Sequence, residues 1–458
     1  MQDAKFKEEN VKTYRPPLSV IFVWHPEDSH KVKPIINHCF TLLSRDINKP
    51  FSRSMNLPIY LLTSALNDEL PPEVYIDSDK SIYFIFLSKE FSDELWIEYI
   101  KNLSDRKEIK IIPIALDKSA INFSIIFNNI NLIRAYDYNQ ECLKEYLFIA
   151  ITHEIYRYTI NKDFDKNSIG KENSIKLFLS HAKHDDNSIK LAKDLKEYLD
   201  DSQMRNFFDT ADIANGYVFD DEIIKHIKKS TVIAIHSDSY SSRYWCQREI
   251  LCAKENDRPI IEVDVLEEYE DRVFPFLSNV PRVHAQVKDE TKESSLLRII
   301  SSALLETVRF NYAEMLLEEY KRVGMIDSNA LIRTRPPDIS DIGKILYYDD
   351  GKIKYRHRQI VYPEPPVYGE EISVINKLGI ETNTPITIET CNLIGKKIGI
   401  SISEPSESEL ANMGIRKIHI HHLSQDIARH LLARNSTIIY GGDFRPGGFT
   451  EIILDEAL

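Results

Sequence analysis

Thr231-Val-Ile-Ala-Ile-His-Ser-Asp-Ser-Tyr-Ser-Ser-Arg-Tyr-Trp-Cys-Gln-Arg-Glu-Ile250 runs from an apolar strand through a polar loop into a helix. The helix carries Trp245 and Glu249. Their spacing of four puts both on one face, with the carboxylate one turn beyond an aromatic wall. A carboxylate against an aromatic ring at the end of a parallel strand is where α/β sheets build pockets.

The residues upstream extend the pattern. Leu177-Phe-Leu-Ser-His-Ala-Lys-His-Asp185 reads as a strand ending in a polar loop, and Phe207-Phe-Asp209 precedes Gly216 by a short loop. With Ser242-Arg-Tyr-Trp-Cys-Gln-Arg-Glu249 these form three marks in order within about 80 residues, a strong combination although each is weak alone. Together they resemble a TIR domain, which implies a flavodoxin-like α/β fold around a parallel sheet.

Enzymatic members of that family cleave NAD+ between nicotinamide and ribose, so the resemblance makes Glu249 the catalytic residue. Nicotinamide leaves as a neutral molecule from a cationic ring, and a single carboxylate then suffices where ordinary glycosides need two. Glu249 would hold the ribose hydroxyls and stabilise the oxocarbenium-like charge. Trp245 would stack on a substrate ring. Ser180, His181, Lys183 and Asp209 complete the expected substrate-binding set, with the 181–183 loop near the phosphates. Asp209 and Gly216 flank the loop used in head-to-tail assembly, and His181 stands where the family often carries an aromatic. Each assignment has a plainer alternative: Glu249 as a charge on a solvated helix, Trp245 as a core aromatic, Lys183 in a solvated loop, Asp209 as a cap or turn residue.

Length and composition set the outer bounds. The 458 residues suggest about three domains, and 43% hydrophobic with 28% charged residues is ordinary for a folded protein. A net charge of -13 argues against general nucleic-acid binding. The cysteines Cys39, Cys142, Cys246, Cys252 and Cys391 lack paired zinc spacing and suit reduced thiols, so no structural metal is expected. The N-terminus has no signal-peptide core, and no run approaches the roughly 18 apolar residues of a membrane span. A cytoplasmic protein is expected.

The first 160 residues alternate strands with helices: Ser19–Trp24, Leu57–Leu62, Ser81–Leu87, Ile109–Ala115 and Leu132–Ala135 read as strands of a second parallel sheet. His25 and Asp28 follow the first strand much as His181 and Asp185 follow theirs. Ser88 precedes Trp96 as Ser237 precedes Trp245, and Asn129 precedes Ala135 as Asn279 precedes Ala285. This spacing predicts a duplicated TIR-like domain over 1–165 beside a catalytic one over 172–332. Four residues after Trp96 stands Ile100, so the first copy lacks the carboxylate and a regulatory or assembly role is expected for it.

The 286–332 stretch is helical in pattern, and Asp350-Gly351 predicts a hairpin within Ile345–Tyr355, so 333–390 reads as a hairpin and connector. Over 391–458, Ser403-Glu404-Pro follows one strand and Tyr-Gly441-Gly442-Asp443-Phe-Arg445-Pro-Gly447-Gly448 follows the next. A glycine-rich turn opening a helix offers backbone N–H groups to phosphate, and Arg445 can add a charge-assisted contact. The combination resembles the opening of a SLOG domain, a Rossmann-like nucleotide sensor, here with two strands and therefore truncated in expectation. The resemblances imply a prokaryotic immune NAD+ glycohydrolase or cyclase, with NAD+ as substrate rather than cofactor. They also imply a nucleotide-derived activating ligand and a homo-oligomer through the TIR domains. The rival readings are a non-enzymatic TIR scaffold and an enzyme acting on another nucleotide.

Overall fold

Near-continuous apolar runs become the central strands of two parallel sheets, as befits strands covered by helices on both faces. The computed structural model describes residues 13–44, 53–127, 131–160, 174–201, 208–210, 219–270, 272–350, 352–388, 393–443 and 445–457. Phe207, Gly216, Asn129, Gly351 and Cys391, used in the sequence comparison, lie outside them.

The first sheet contains β1 (Ser19–Trp24), β2 (Ile59–Leu62), β3 (Ser81–Leu87), β4 (Ile109–Ala115) and β5 (Ile133–Arg134) in the order β2-β1-β3-β4-β5. Every residue of β1 and β3 is buried. Helices α1 (Ser29–Leu43), α2 (Glu94–Asp105) and α3 (Leu143–Ile160) cover it. The Asp93 carboxylate starts α2 by accepting from the Leu95 amide at 2.8 Å.

The second sheet repeats that order as β7-β6-β8-β9-β10, from β6 (Ile175–His181), β7 (Phe208–Thr210), β8 (Thr231–His236), β9 (Ile260–Asp264) and β10 (Arg282–His284). Its helices are α4 (Asp186–Asp201), α5 (Phe219–Ile227), α6 (Tyr244–Glu255) and the long α7 (Lys292–Arg322). Leu147, Ile151 and Ile155 of α3 share one continuous core with Leu297, Ile300 and Leu304 of α7. The two sheets are thereby joined back to back through their last helices.

Residues 333–390 hold more structure than the expected hairpin. The hairpin itself is β12 (Leu346–Asp349) against β13 (Lys352–Tyr355), turning at Asp350 with φ of 50°. Beside it, β11 (Leu331–Ile332), β14 (Gln359–Val361) and β15 (Glu381–Asn383) form a parallel sheet, with α8 (Ile339–Ile345) and α9 (Gly369–Lys377) between strands. Strands of two or three residues carry too little alternation to be read from sequence.

The C-terminal segment pairs β16 (Lys397–Ile400) with β17 (Thr437–Tyr440) in parallel and adds α10 (Glu407–Asn412), α11 (Lys417–Ala433) and α12 (Phe449–Asp455). It docks on the open edge of the first sheet. The Leu61 amide donates to the Gly414 carbonyl at 2.7 Å, and His419 Nε2 donates to the Ile59 carbonyl at 2.8 Å. Phe40 of α1 packs against the rings of His419 and His422.

Among the described residues no helix is long and apolar enough to cross a membrane. No group of three or more His, Cys, Asp or Glu side chains among them can hold a metal ion. Cys39, Cys142, Cys246 and Cys252 are free and buried.

Candidate active site

Ser180, next to last in β6, and Glu249, in the second turn of α6, meet above the C-terminal ends of the strands. Ser180 Oγ donates to Glu249 Oε2 at 2.5 Å and lies 2.6 Å from the hydroxyl of Tyr240. Ser180 and Tyr240 are buried, and Glu249 is half-buried. Burial pushes the Glu249 carboxyl up to about 7, against the opposing pull of the Ser180 hydroxyl and the Lys183 charge. A carboxyl that ionises near neutrality in a partly open site suits acid–base or charge-stabilising work.

The other expected residues surround this pair at different depths. Trp245 is 38% exposed and sits edge-on to Tyr244 at 5.4 Å, so it forms a rim. Cys246, Ile250, Cys252 and Ala253 are the side chains that α6 turns into the core. Lys183 is exposed and acts on Glu249 through its charge. His181 ends β6 half-buried, and burial pushes its imidazole below the usual value. Asp209 pairs in register with Lys176 through β7, while its side chain lies outside the described residues.

Sequence reasoning missed the layer behind the pair. His236 ends β8 fully buried, with Nδ1 2.5 Å from Glu262 Oε1 and Nε2 2.7 Å from Glu270 Oε2. Burial alone would push its imidazole down, but the two carboxylates override that and hold it above the usual value. Glu270 also accepts from the Ser241 amide at 3.0 Å, and the His236 ring meets Tyr240 edge-on at 5.7 Å. The available signal was a histidine closing an otherwise apolar strand.

In the C-terminal segment the expected ligand residues gather in the loops after β16 and β17. Arg445 forms a bidentate pair with Asp443 at 2.8 Å for each bond and approaches Glu404 at 3.5 Å. That guanidinium holds Asp443 well below the usual carboxylate range. Lys417 pairs with Glu404 at 2.6 Å. Gly442 and Gly447 have φ of 91° and 68°, and a Cβ on Gly448 would meet the Asp443 carbonyl at 2.7 Å. The Gly447 amide, beside the start of α12, donates to Glu451 at 2.7 Å, so a side chain of α12 already occupies part of that turn. Ser403 lies just beyond β16, exposed, and Gly441 just beyond β17.

A family model described as TIR domain matches residues 177–299, and one described as SLOG cluster2 matches 392–457. The chain carries a TIR domain and a C-terminal SLOG domain. No curated protein matches the chain.

Against the TIR domain, the first sheet requires one correction. Helices α2 and α6 are each twelve residues long and, aligned at their first residues, have the same burial pattern over the first seven positions. Trp96 then corresponds to Cys246, both buried, rather than to Trp245. The position of Glu249 is taken by Tyr99, not by Ile100, which matches Ile250. The strand register agrees: Val23 pairs with Ile85 as Ser180 pairs with Ala234, each two residues before the end of its central strand. The interacting Ser–Glu pair is thus replaced by Val23 and Tyr99. The tryptophan identity misled the sequence comparison because a one-residue difference in the preceding loop shifts the helix start.

Proposed function

We propose that the TIR domain cleaves NAD+ at the nicotinamide–ribose bond, as a hydrolase or cyclase, with Glu249 as catalytic residue. The observation that carries this reading is the Glu249 carboxyl, supported by Ser180 and pushed up to about 7, above the strand ends of a TIR domain. The C1′–N bond breaks with its electron pair leaving on neutral nicotinamide. The ionised Glu249 stabilises the positive charge left on the ribose. Water then adds at C1′ and loses a proton, or an internal nucleophile of the adenine closes a ring. Trp245 at the rim stacks on a substrate ring, Lys183 and His181 face its polar groups, Ser180 binds through the Glu249 carboxylate it supports, and Asp209 lies on the adjoining strand β7.

The SLOG domain takes a nucleotide-derived signal in the loop set Ser403, Glu404, Gly441, Gly442, Asp443, Arg445, Gly447 and Gly448. A ligand phosphate there competes with Asp443 and Glu404 for Arg445. The signal drives TIR domains of several copies together in the cytoplasm, as part of antiphage defence. The N-terminal sheet, with Tyr99 in place of the carboxylate and the SLOG domain docked on its edge, serves regulation or assembly.

The test is release of nicotinamide from NAD+ by the purified chain, with and without cyclic nucleotide or ADP-ribose ligands. Wild type is compared with Glu249→Ala and Glu249→Gln. Release that disappears in both variants supports the enzyme. Silence from folded, assembled protein under every condition favours the scaffold reading, to which the exposed Tyr244 and Trp245 lend a contact surface.

A further inference from the structure

We propose that Tyr240 is a positioning residue of this site: its hydroxyl donates to Ser180 and so commits the one Ser180 proton to the Glu249 carboxylate. The inference rests on the reading of Glu249 as the working carboxylate. A serine hydroxyl has one proton and can accept besides. While Glu249 is ionised it can only accept, so the 2.5 Å bond to it uses the Ser180 proton. The 2.6 Å bond to Tyr240 must then run from the phenol to Ser180. When Glu249 is protonated the chain can reverse, with Glu249 donating to Ser180 and Ser180 to Tyr240. Hydrogen bonds in series polarise one another, so the phenol favours the ionised form of a carboxyl it does not touch.

The ring is held for this task. Tyr240 is fully buried, lies edge-on to His236, and precedes Ser241, whose amide is fixed by Glu270. His236 is in turn clamped between Glu262 and Glu270. The other titratable or charged groups acting in this region are Lys183 after β6, and Arg243 and Cys246 around the start of α6.

The experiment is an NMR titration of the full chain labelled with carboxyl-13C glutamate, the Glu249 signal being the one lost in Glu249→Gln. Tyr240→Phe should raise the Glu249 midpoint by about 0.5–1 pH unit, the equivalent of one hydrogen bond. Ser180→Ala should raise it at least as far, and Tyr240→Phe added to Ser180→Ala should move it no further. 3-Fluorotyrosine placed at position 240 keeps the shape and strengthens the donor, so it should lower the midpoint even if Tyr240→Phe folds poorly. A midpoint unmoved by either replacement, or a Tyr240→Phe effect that persists without the Ser180 hydroxyl, overturns the proposal. The titration needs no turnover. Absent nicotinamide release beside a normal coupling sinks the NAD+ reading alone, whereas a flat titration in an active protein sinks only the role of Tyr240.

Discussion

Glu249 owes its character to where its carboxyl lies. Ionisation near about 7 means that activity depending on the carboxylate should rise with pH through neutrality and level off about one unit above. A kcat/KM profile flat from about pH 5.5 to 8.5 would contradict that environment. The same shift has a sign for stability. The folded carboxyl holds its proton up to about 7 while the unfolded one releases it near 4.5, so stability is fully present below 4.5 and declines as pH rises to 7. Glu249→Gln, which stays neutral, should therefore match wild type near about pH 4 and exceed it near about pH 8 by up to about 3 kcal/mol. Denaturant titrations at the two values measure it. Glu249, Trp245 and Ser180 were legible because they fall in one short pattern or at a strand end. Tyr240 meets Ser180 across 60 positions, and His236 meets Glu262 and Glu270 across 26 and 34, spacings without a motif.

At the scale of the element, α6 is held at both ends. Gln247 donates to the Ser241 carbonyl near its start. At its C-terminus Lys344 donates to the Glu255 carbonyl at 2.6 Å and Arg335 to the Lys254 carbonyl at 3.3 Å. Cations there complement the helix dipole. Arg335 also pairs with Asp341 at 2.8 Å, and Arg333 reaches the same carboxylate at 2.8 Å; Asp341 is fully buried. Removing one partner of such a pair strands the other, so Arg335→Met should cost about 3–5 kcal/mol in urea unfolding. A loss under about 1 kcal/mol would mean that Arg333 alone satisfies Asp341. Arg333 and Arg335 fall in the stretch that the sequence shows as the start of a hairpin and connector. Their hold on α6 was not visible there, because the groups they meet at its end, the Lys254 carbonyl and the Asp257 carboxylate, are remote from them in sequence.

Across the whole molecule, the SLOG domain docks on the edge of the first sheet. Gly414 sits at that contact with φ of 69°, and a Cβ there would meet Leu62 at 3.0 Å and Val74 at 3.4 Å. Gly414→Val combines a left-handed backbone unfavourable for a branched residue with a steric clash. It should loosen the docking, read as at least about a fivefold faster proteolysis within 393–416, the factor corresponding to about 1 kcal/mol. Cleavage at the wild-type rate would show that the contact does not restrain the domain. In the proposed scheme the variant also weakens the dependence of nicotinamide release on added ligand.

Local pattern determined the strand–helix alternation, the TIR and SLOG signatures, the position of Glu249 and the hairpin at Asp350. Each of these is written in residues close in sequence, through periodicity, turn chemistry or strand ends. Tertiary structure alone decided that Tyr99 rather than Ile100 takes, beside the first sheet, the position that Glu249 has beside the second. It also decided that Tyr240 and His236 back the site, that connector arginines clasp α6, and that the SLOG domain rests on β2. These depend on strand register, helix phase and the approach of distant surfaces, which follow from packing the whole chain at once.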